Sequence, residues 1–171
     1  MGNDKGEVDW YCPDPRAVIP IEEALPGRTM QRVLRNGRYR LTMDKAFERV
    51  IRACGEREET WITEEMVQAY GALHRLGHAH SVEAWEGEEL VGGIYGVSIG
   101  AAFFGESMFT KRNNAGKAAF HRLMDHLRVR CFKLFDSQII NDFTRTLGAV
   151  EIPFSGFQAK LTKAVNDHDR W

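Results

Sequence analysis

Apolar residues recur along this chain with helical period in some stretches and crowd into short runs in others. Met66, Tyr70, Leu73 and Leu76 mark a helix with Thr63 as its cap and Gly77 as its stop. Phe47, Val50, Ile51 and Cys54 mark another, which Asp44 is positioned to cap and Gly55 to end. A short helix over Thr29–Asn36 turns Met30, Val33 and Leu34 inward. One beginning near Ala115 has Leu123, Met124, Leu127 and Cys131 as its inner face, and two more fit Ile139–Thr146 and Phe154–Val165. Tyr39–Met43, His80–Trp85, Leu134–Asp136 and Ala149–Ile152 read as strands. Trp10–Arg16, aromatic and proline-bound, reads as ordered but as neither helix nor ordinary strand.

The densest apolar stretch, Leu90–Phe109, holds five glycines and one acid, Glu106. It reads as two strands turning at Ser98-Ile99-Gly100, joined to His80–Trp85 through Glu86-Gly87-Glu88 in an antiparallel meander. A glycine inside a strand marks a bulge or a close approach to the backbone. Strands flanked by helices in this order predict an α/β or α+β fold, a mixed sheet with helices against it.

Composition narrows the class. The chain has 171 residues, 43% of them hydrophobic and 27% charged, and carries a net charge of −1. It is expected to form one domain over residues 1–171, with residues 1–9 and 166–171 loose. No run reaches the roughly 18 apolar residues of a membrane helix, so no membrane partner is expected. The polar start shows no signal peptide, and Met1-Gly2 lacks the Ser or Thr at position 6 of a myristoylation site. Three separated cysteines, Cys12, Cys54 and Cys131, fit a reducing cytoplasm. The net charge excludes a general nucleic-acid binder, yet five arginines and no acid lie between Arg28 and Arg40. Arg28, Arg32 and Arg35 would share one helix face, either as a solvated surface or as a grip on a phosphate backbone.

Candidate chemistry gathers at a few points. Glu106 ends an apolar strand and must be paired, solvated by a cleft, or shifted in pKa. Asp136, with Gln138 two residues on, either orients an amide or amine or caps the following helix. His74, His78 and His80 lack the further donors that a metal site needs and read as ordinary histidines. Asn113-Asn114-Ala115-Gly116-Lys117-Ala118 lies at a strand-to-helix junction, where backbone N–H groups can hold an anion. It is also a near match to the loop that holds the coenzyme A pyrophosphate in N-acetyltransferases.

These segments together resemble the C-terminal catalytic domain of the leucyl/phenylalanyl-tRNA–protein transferase family. The matching runs are Trp10–Val18, Thr42–Cys54, Thr60–Trp85, Leu90–Val97, Gly105–Phe109 and Phe135–Pro153, nearly everything after Trp10. The resemblance implies a sheet like that of the N-acetyltransferase superfamily, used without coenzyme A or any other cofactor. It implies transfer of leucine or phenylalanine, or a related amino acid, from aminoacyl-tRNA to the N-terminal amine of proteins beginning with Arg or Lys, which marks them for degradation. Carried onto this chain, Asp136, Gln138 and Glu106 are catalytic. Trp61 stacks on the terminal adenine. Ile94, Phe103, Met108 and Phe135 line the pocket for the donor side chain, and Ser107 and Asn141 join them in binding substrate. Arg28, Arg32, Arg35 and Lys117 hold tRNA. This chain departs from the family pattern at Gly116, Phe143 and Phe154, where Ser, His and Arg are usual, and begins where an N-terminal domain is expected to end, so that domain is read as absent. The rival readings are a coenzyme-A-dependent N-acetyltransferase and a non-catalytic module that binds tRNA or N-terminal residues.

Overall fold

The computed structural model describes residues 12–57, 60–168 and 171. The expectations for Met1–Tyr11, including the start of the Trp10–Arg16 segment, lie outside these residues.

Thirteen elements follow in order: β1 (Arg16–Val18), α1 (Arg28–Arg35), β2 (Arg40–Met43), α2 (Phe47–Gly55), α3 (Glu64–Arg75), β3 (Ala79–Glu86), β4 (Glu89–Ile99), β5 (Ala102–Thr110), α4 (Ala115–Val129), β6 (Leu134–Gln138), α5 (Asp142–Thr146), β7 (Val150–Ile152) and α6 (Phe154–Val165). The strands form one sheet in the order β2-β3-β4-β5-β6-β1-β7. Only β5 and β6 run parallel; every other neighbouring pair is antiparallel. This is the α+β architecture expected. Among the described residues no helix is long and apolar enough to cross a membrane.

Strand alternation sends side chains to two faces, and each has its own core. Phe47, Val50 and Ile51 of α2 and Val67 of α3 pack with Leu90, Tyr95 and Phe109. On the other face Phe120, Leu123, Met124 and Leu127 of α4 pack with Val91, Ile94, Phe103 and Phe135. A smaller cluster joins Phe157 and Ala164 of α6 to Val18, Ala102 and Leu134. The glycines of β4 serve this packing. A Cβ on Gly92 would meet the backbone of Ala115 and Gly116 at 2.6 Å, so the start of α4 can lie directly on the strand only because Gly92 is there.

Several local expectations change. Asp44 does not cap α2, whose N-cap is Ala46. Instead Asp44 accepts hydrogen bonds from the Ser81 N–H at 2.8 Å, from His80 Nδ1 at 2.9 Å and from Trp171 Nε1 at 3.0 Å. Trp171 also stacks on His80, with ring centroids 3.9 Å apart. Leu76, read as inward, is the C-cap of α3 and 71% exposed. α4 ends before Cys131, which is exposed. α5 begins three residues later than expected, because Asn141 accepts from the Thr144 N–H and forms a capping box with it. Arg16–Val18 is a strand that periodicity cannot reveal at three residues.

Candidate active site

Two bulges build the site. In the β4/β5 ladder Tyr95 faces Ser107 and Gly96 faces Gly105, which leaves Glu106 as the extra residue. In the β1/β6 ladder Ala17 faces Gln138 and Val18 faces Asp136, which leaves Ser137 as the extra residue. Bulges bend a strand and re-aim side chains. β5 and β6 pair only as far as Phe104 and Asp136. Beyond that pair lies a cavity of about 700 Å³, to which residues from both faces contribute.

Arg16, Glu106, Ser137 and Gln138 stand at its polar end. Asp136 is fully buried behind them. Arg16 grips it with both arms, Nε to Oδ1 at 3.0 Å and Nη2 to Oδ2 at 2.7 Å. The Gln138 N–H donates to the same Oδ1 at 2.9 Å. That bond holds Gln138 in the left-handed region, at φ 67°, which costs a non-glycine residue on the order of 1 kcal/mol. The Gln138 side chain donates through Nε2 to the Gly105 carbonyl at 3.3 Å. Gln138 and the Tyr70 hydroxyl also lie close enough to the Glu106 carboxyl group to favour its charged form. The amide nitrogen is engaged by the Gly105 carbonyl, so Oε1 is the atom left for a substrate donor.

Burial raises the Glu106 pKa above the ordinary carboxylate range, and the nearby Asp136 adds to the rise, while hydrogen bonds from Tyr70 and Gln138 and the charge of Arg16 oppose it. Burial, with Glu106 nearby, likewise raises Tyr70. The buried hydroxyls of Tyr95 and Ser137 have no hydrogen-bond partner among the described residues.

Most of the expected substrate residues meet here: Trp61, Ile94, Ser107, Met108, Phe135 and Asn141 all line the cavity. Phe103 does not. It pairs with Phe135 where β5 and β6 are still joined, is 1% exposed, and lies 5.7 Å from the Trp171 ring. Asp136 also stays off the cavity surface, behind Arg16. Periodicity missed Arg16 and Tyr70. A charge followed at once by Ala-Val-Ile, and a tyrosine within an apolar stripe, are the signals that each needs a polar partner.

The basic residues lie elsewhere. Arg28, Arg32 and Arg35 are exposed on α1. Arg28 and Lys117 line a second cleft, which Arg32 and Arg35 do not reach. The start of α4 offers few free donors for a pyrophosphate. The N–H groups of Ala115, Gly116 and Ala118 already bond the Arg112 carbonyl, Thr110 Oγ1 and the Asn114 carbonyl. Among the described residues no three His, Cys, Asp or Glu side chains are placed to hold a metal ion.

A mixed sheet opened between two parallel strands, with an apolar cavity running to a carboxyl, a carboxamide and a guanidinium, defines an acyltransferase-like α+β protein. Comparison with known proteins gives the family. Residues 18–162 match the family model described as leucyl/phenylalanyl-tRNA protein transferase. The leucyl/phenylalanyl-tRNA–protein transferase of Rubrobacter xylanophilus is 48% identical over 96% of this chain and 87% of its own. Those of Anaeromyxobacter sp. and Proteus mirabilis are 50% and 46% identical, each over 95% of this chain and 73% and 72% of their own. This chain belongs to the leucyl/phenylalanyl-tRNA–protein transferase family, whose members are aminoacyltransferases. A crystal structure of a conserved protein of unknown function from Bacteroides thetaiotaomicron shares the fold alone, with a TM-score of 0.50 and 14% identity, covering 88% of this chain and 56% of that one.

Proposed function

We propose that the protein moves leucine or phenylalanine from charged tRNA to the N-terminal amine of proteins that begin with Arg or Lys, in the cytoplasm and without a cofactor. The observation that carries this reading is the linked group Arg16–Asp136–Gln138–Glu106 at the end of the apolar cavity. Ile94, Met108 and Phe135 take the donor side chain, a contact that separates side chains by about 1–3 kcal/mol per methylene. Trp61 stacks on the terminal adenine, worth about 1–3 kcal/mol.

The acceptor amine attacks the ester carbonyl, the C–O bond to the ribose breaks, the leaving oxygen takes the amine proton, and a peptide bond forms. A free α-amine has a pKa of about 7.7–8.0, so losing its proton near pH 7 costs only about 1 kcal/mol. Positioning therefore matters more than a strong base. Gln138 Oε1 accepts from the amine. Asp136, with both oxygens engaged, acts by holding Arg16 and the Gln138 backbone, and Glu106 attracts the cationic first residue of the acceptor.

The test is a transfer assay with leucyl- or phenylalanyl-tRNA and peptides beginning with Arg or Ala, with acetyl-coenzyme A in parallel. Addition to the Arg peptide alone is expected. Acetylation, or equal use of both peptides, overturns the reading.

A further inference from the structure

Trp171 packs behind the main cavity and is held there from several sides. Its indole stacks on His80 of β3, with ring centroids 3.9 Å apart and planes 18° from parallel. Nε1 donates to Asp44 Oδ2 at 3.0 Å, and the Trp171 carbonyl accepts from Arg130 Nη2 at 2.7 Å. The His126 ring of α4 lies 4.5 Å away. None of these residues lines the cavity.

What Trp171 backs is Phe103. The two rings lie 5.7 Å apart and 21° from parallel. On its strand side Phe103 rests on Gly96, where an added Cβ would stand 2.6 Å from Phe103 Cε1. Phe103 is 1% exposed and stays off the cavity surface. Phe135 comes next, 5.6 Å from Phe103 and 6.1 Å from Phe120. Phe135 and Phe120 do line the cavity, beside Ile94 and Met108. The rings therefore form a row, from Trp171 through Phe103 to the surface that meets the donor side chain. Rings at about 4.5–7 Å attract one another beyond their buried area. In a close-packed interior each keeps its place only while its neighbours keep theirs.

We propose that Trp171 sets the depth of the donor pocket from behind, through Phe103, and so governs which apolar side chains the protein transfers. The proposal rests on the transfer reading above. Trp171 is a positioning residue, since it acts through Phe103 and Phe135. Truncating it removes the surface against which Phe103 packs. Neighbours relax partly into such a space, so Phe103 and Phe135 draw back and the pocket deepens. A deeper pocket leaves a leucine side chain short of contacts. A larger ring fills it.

The test measures kcat/KM for transfer to an Arg peptide from leucyl-, phenylalanyl- and tryptophanyl-tRNA. In Trp171→Ala the use of phenylalanine relative to leucine should rise about tenfold, and that of tryptophan by at least as much. Trp171→Phe, which keeps a ring in the row, should hold the wild-type ratios. Phe103→Leu opens the same space from the nearer side and should shift the ratios the same way. Combined with Trp171→Ala it should shift them by less than the product of the two single effects. Ile51→Ala, in the core on the opposite face of the sheet, should lower the thermal midpoint and leave the ratios alone. Equal losses on all three donors in Trp171→Ala, effects that multiply in the double variant, or an equal shift in Ile51→Ala each overturn the proposal. Where Trp171→Ala does not fold, Trp171→Leu and Phe103→Leu decide by the same ratios. Calorimetry with leucyl- and phenylalanyl-adenosine, each carrying a stable amide link, reads the pocket without chemistry. A wild type that transfers to nothing, yet whose preference between these two moves in Trp171→Ala, refutes the transfer reading and supports the pocket. A wild type that transfers, with ratios that Trp171→Ala leaves unmoved, keeps the transfer reading and overturns the role of Trp171.

Discussion

Glu83 on β3 and Glu106 on β5 belong to one sheet, the first fully buried and the second half-buried, and they differ in what surrounds them. Glu83 is fully buried on β3 and accepts from Ser81 Oγ at 2.6 Å, from Thr42 Oγ1 and from the Ala46 N–H at 3.3 Å. Three donors tie β2, β3 and the start of α2 to one carboxyl group. Glu106 sits on a bulge, borders a cavity beside Tyr70 and Gln138, and has a raised pKa. Burial alone does not separate a structural acid from a reactive one. The number of donors and the access to open space do.

The largest effect that tests this contrast is on stability. Glu83→Ala should lose about 4 kcal/mol, because three buried donors lose their acceptor at about 1–3 kcal/mol each. The denaturant midpoint should fall with an unchanged slope, and a normal midpoint would break the comparison. Asp136→Asn should cost about 3 kcal/mol, since it leaves the Arg16 guanidinium without its charge partner, and should also remove most transfer. Transfer at the wild-type rate by the folded fraction would remove Asp136 from the mechanism. Glu106→Gln should reverse the pattern, with transfer to an Arg peptide down at least about tenfold and no loss of stability. The direction with pH follows from its raised folded pKa. The proton it holds stabilises the native state at low pH, and that contribution is lost as pH rises through the folded value. The glutamine variant does not titrate, so its stability relative to wild type should climb as pH rises above the ordinary carboxylate value. A flat difference in midpoints would contradict the raised pKa. Smallest should be Arg32→Glu, on the exposed face of α1: about threefold weaker tRNA binding and a slightly flatter salt dependence, read by titration at several salt concentrations. Unchanged binding at several salt concentrations would take this face of α1 out of the RNA contact.

Much of the frame was legible because periodicity reports burial. The α3 stripe with its Thr63 cap, the β3–β4–β5 meander and the whole of α6 follow from it. The glycines of β4 correctly signalled close approach, although at Gly92 the neighbour is helix α4 instead of a ligand. What periodicity could not show depends on distant pairing. Asp44 looks like a cap in isolation, and only the fold brings Ser81, His80 and Trp171 to it. Phe103 and Met108 have opposite parity, yet the extra residue at Glu106 brings both to the face of α4, where only Met108 reaches the cavity. The candidate residues Asp136, Gln138 and Glu106 could be picked out from their settings. Their linkage through Arg16 could not, because a three-residue strand leaves no pattern.

The Arg16–Asp136 bridge has a consequence in time. Its two ends are separated by 120 positions in the chain. A ribosome adds about 5–20 residues per second, so Arg16 waits on the order of ten seconds for its partner to be made. β1 meanwhile has neither neighbour, because β6 and β7 flank it and both come from the last quarter of the sequence. A nascent chain therefore cannot close this cluster until β6 has been made, and β1 stays unpaired for most of the time that residues 16–138 take to synthesise.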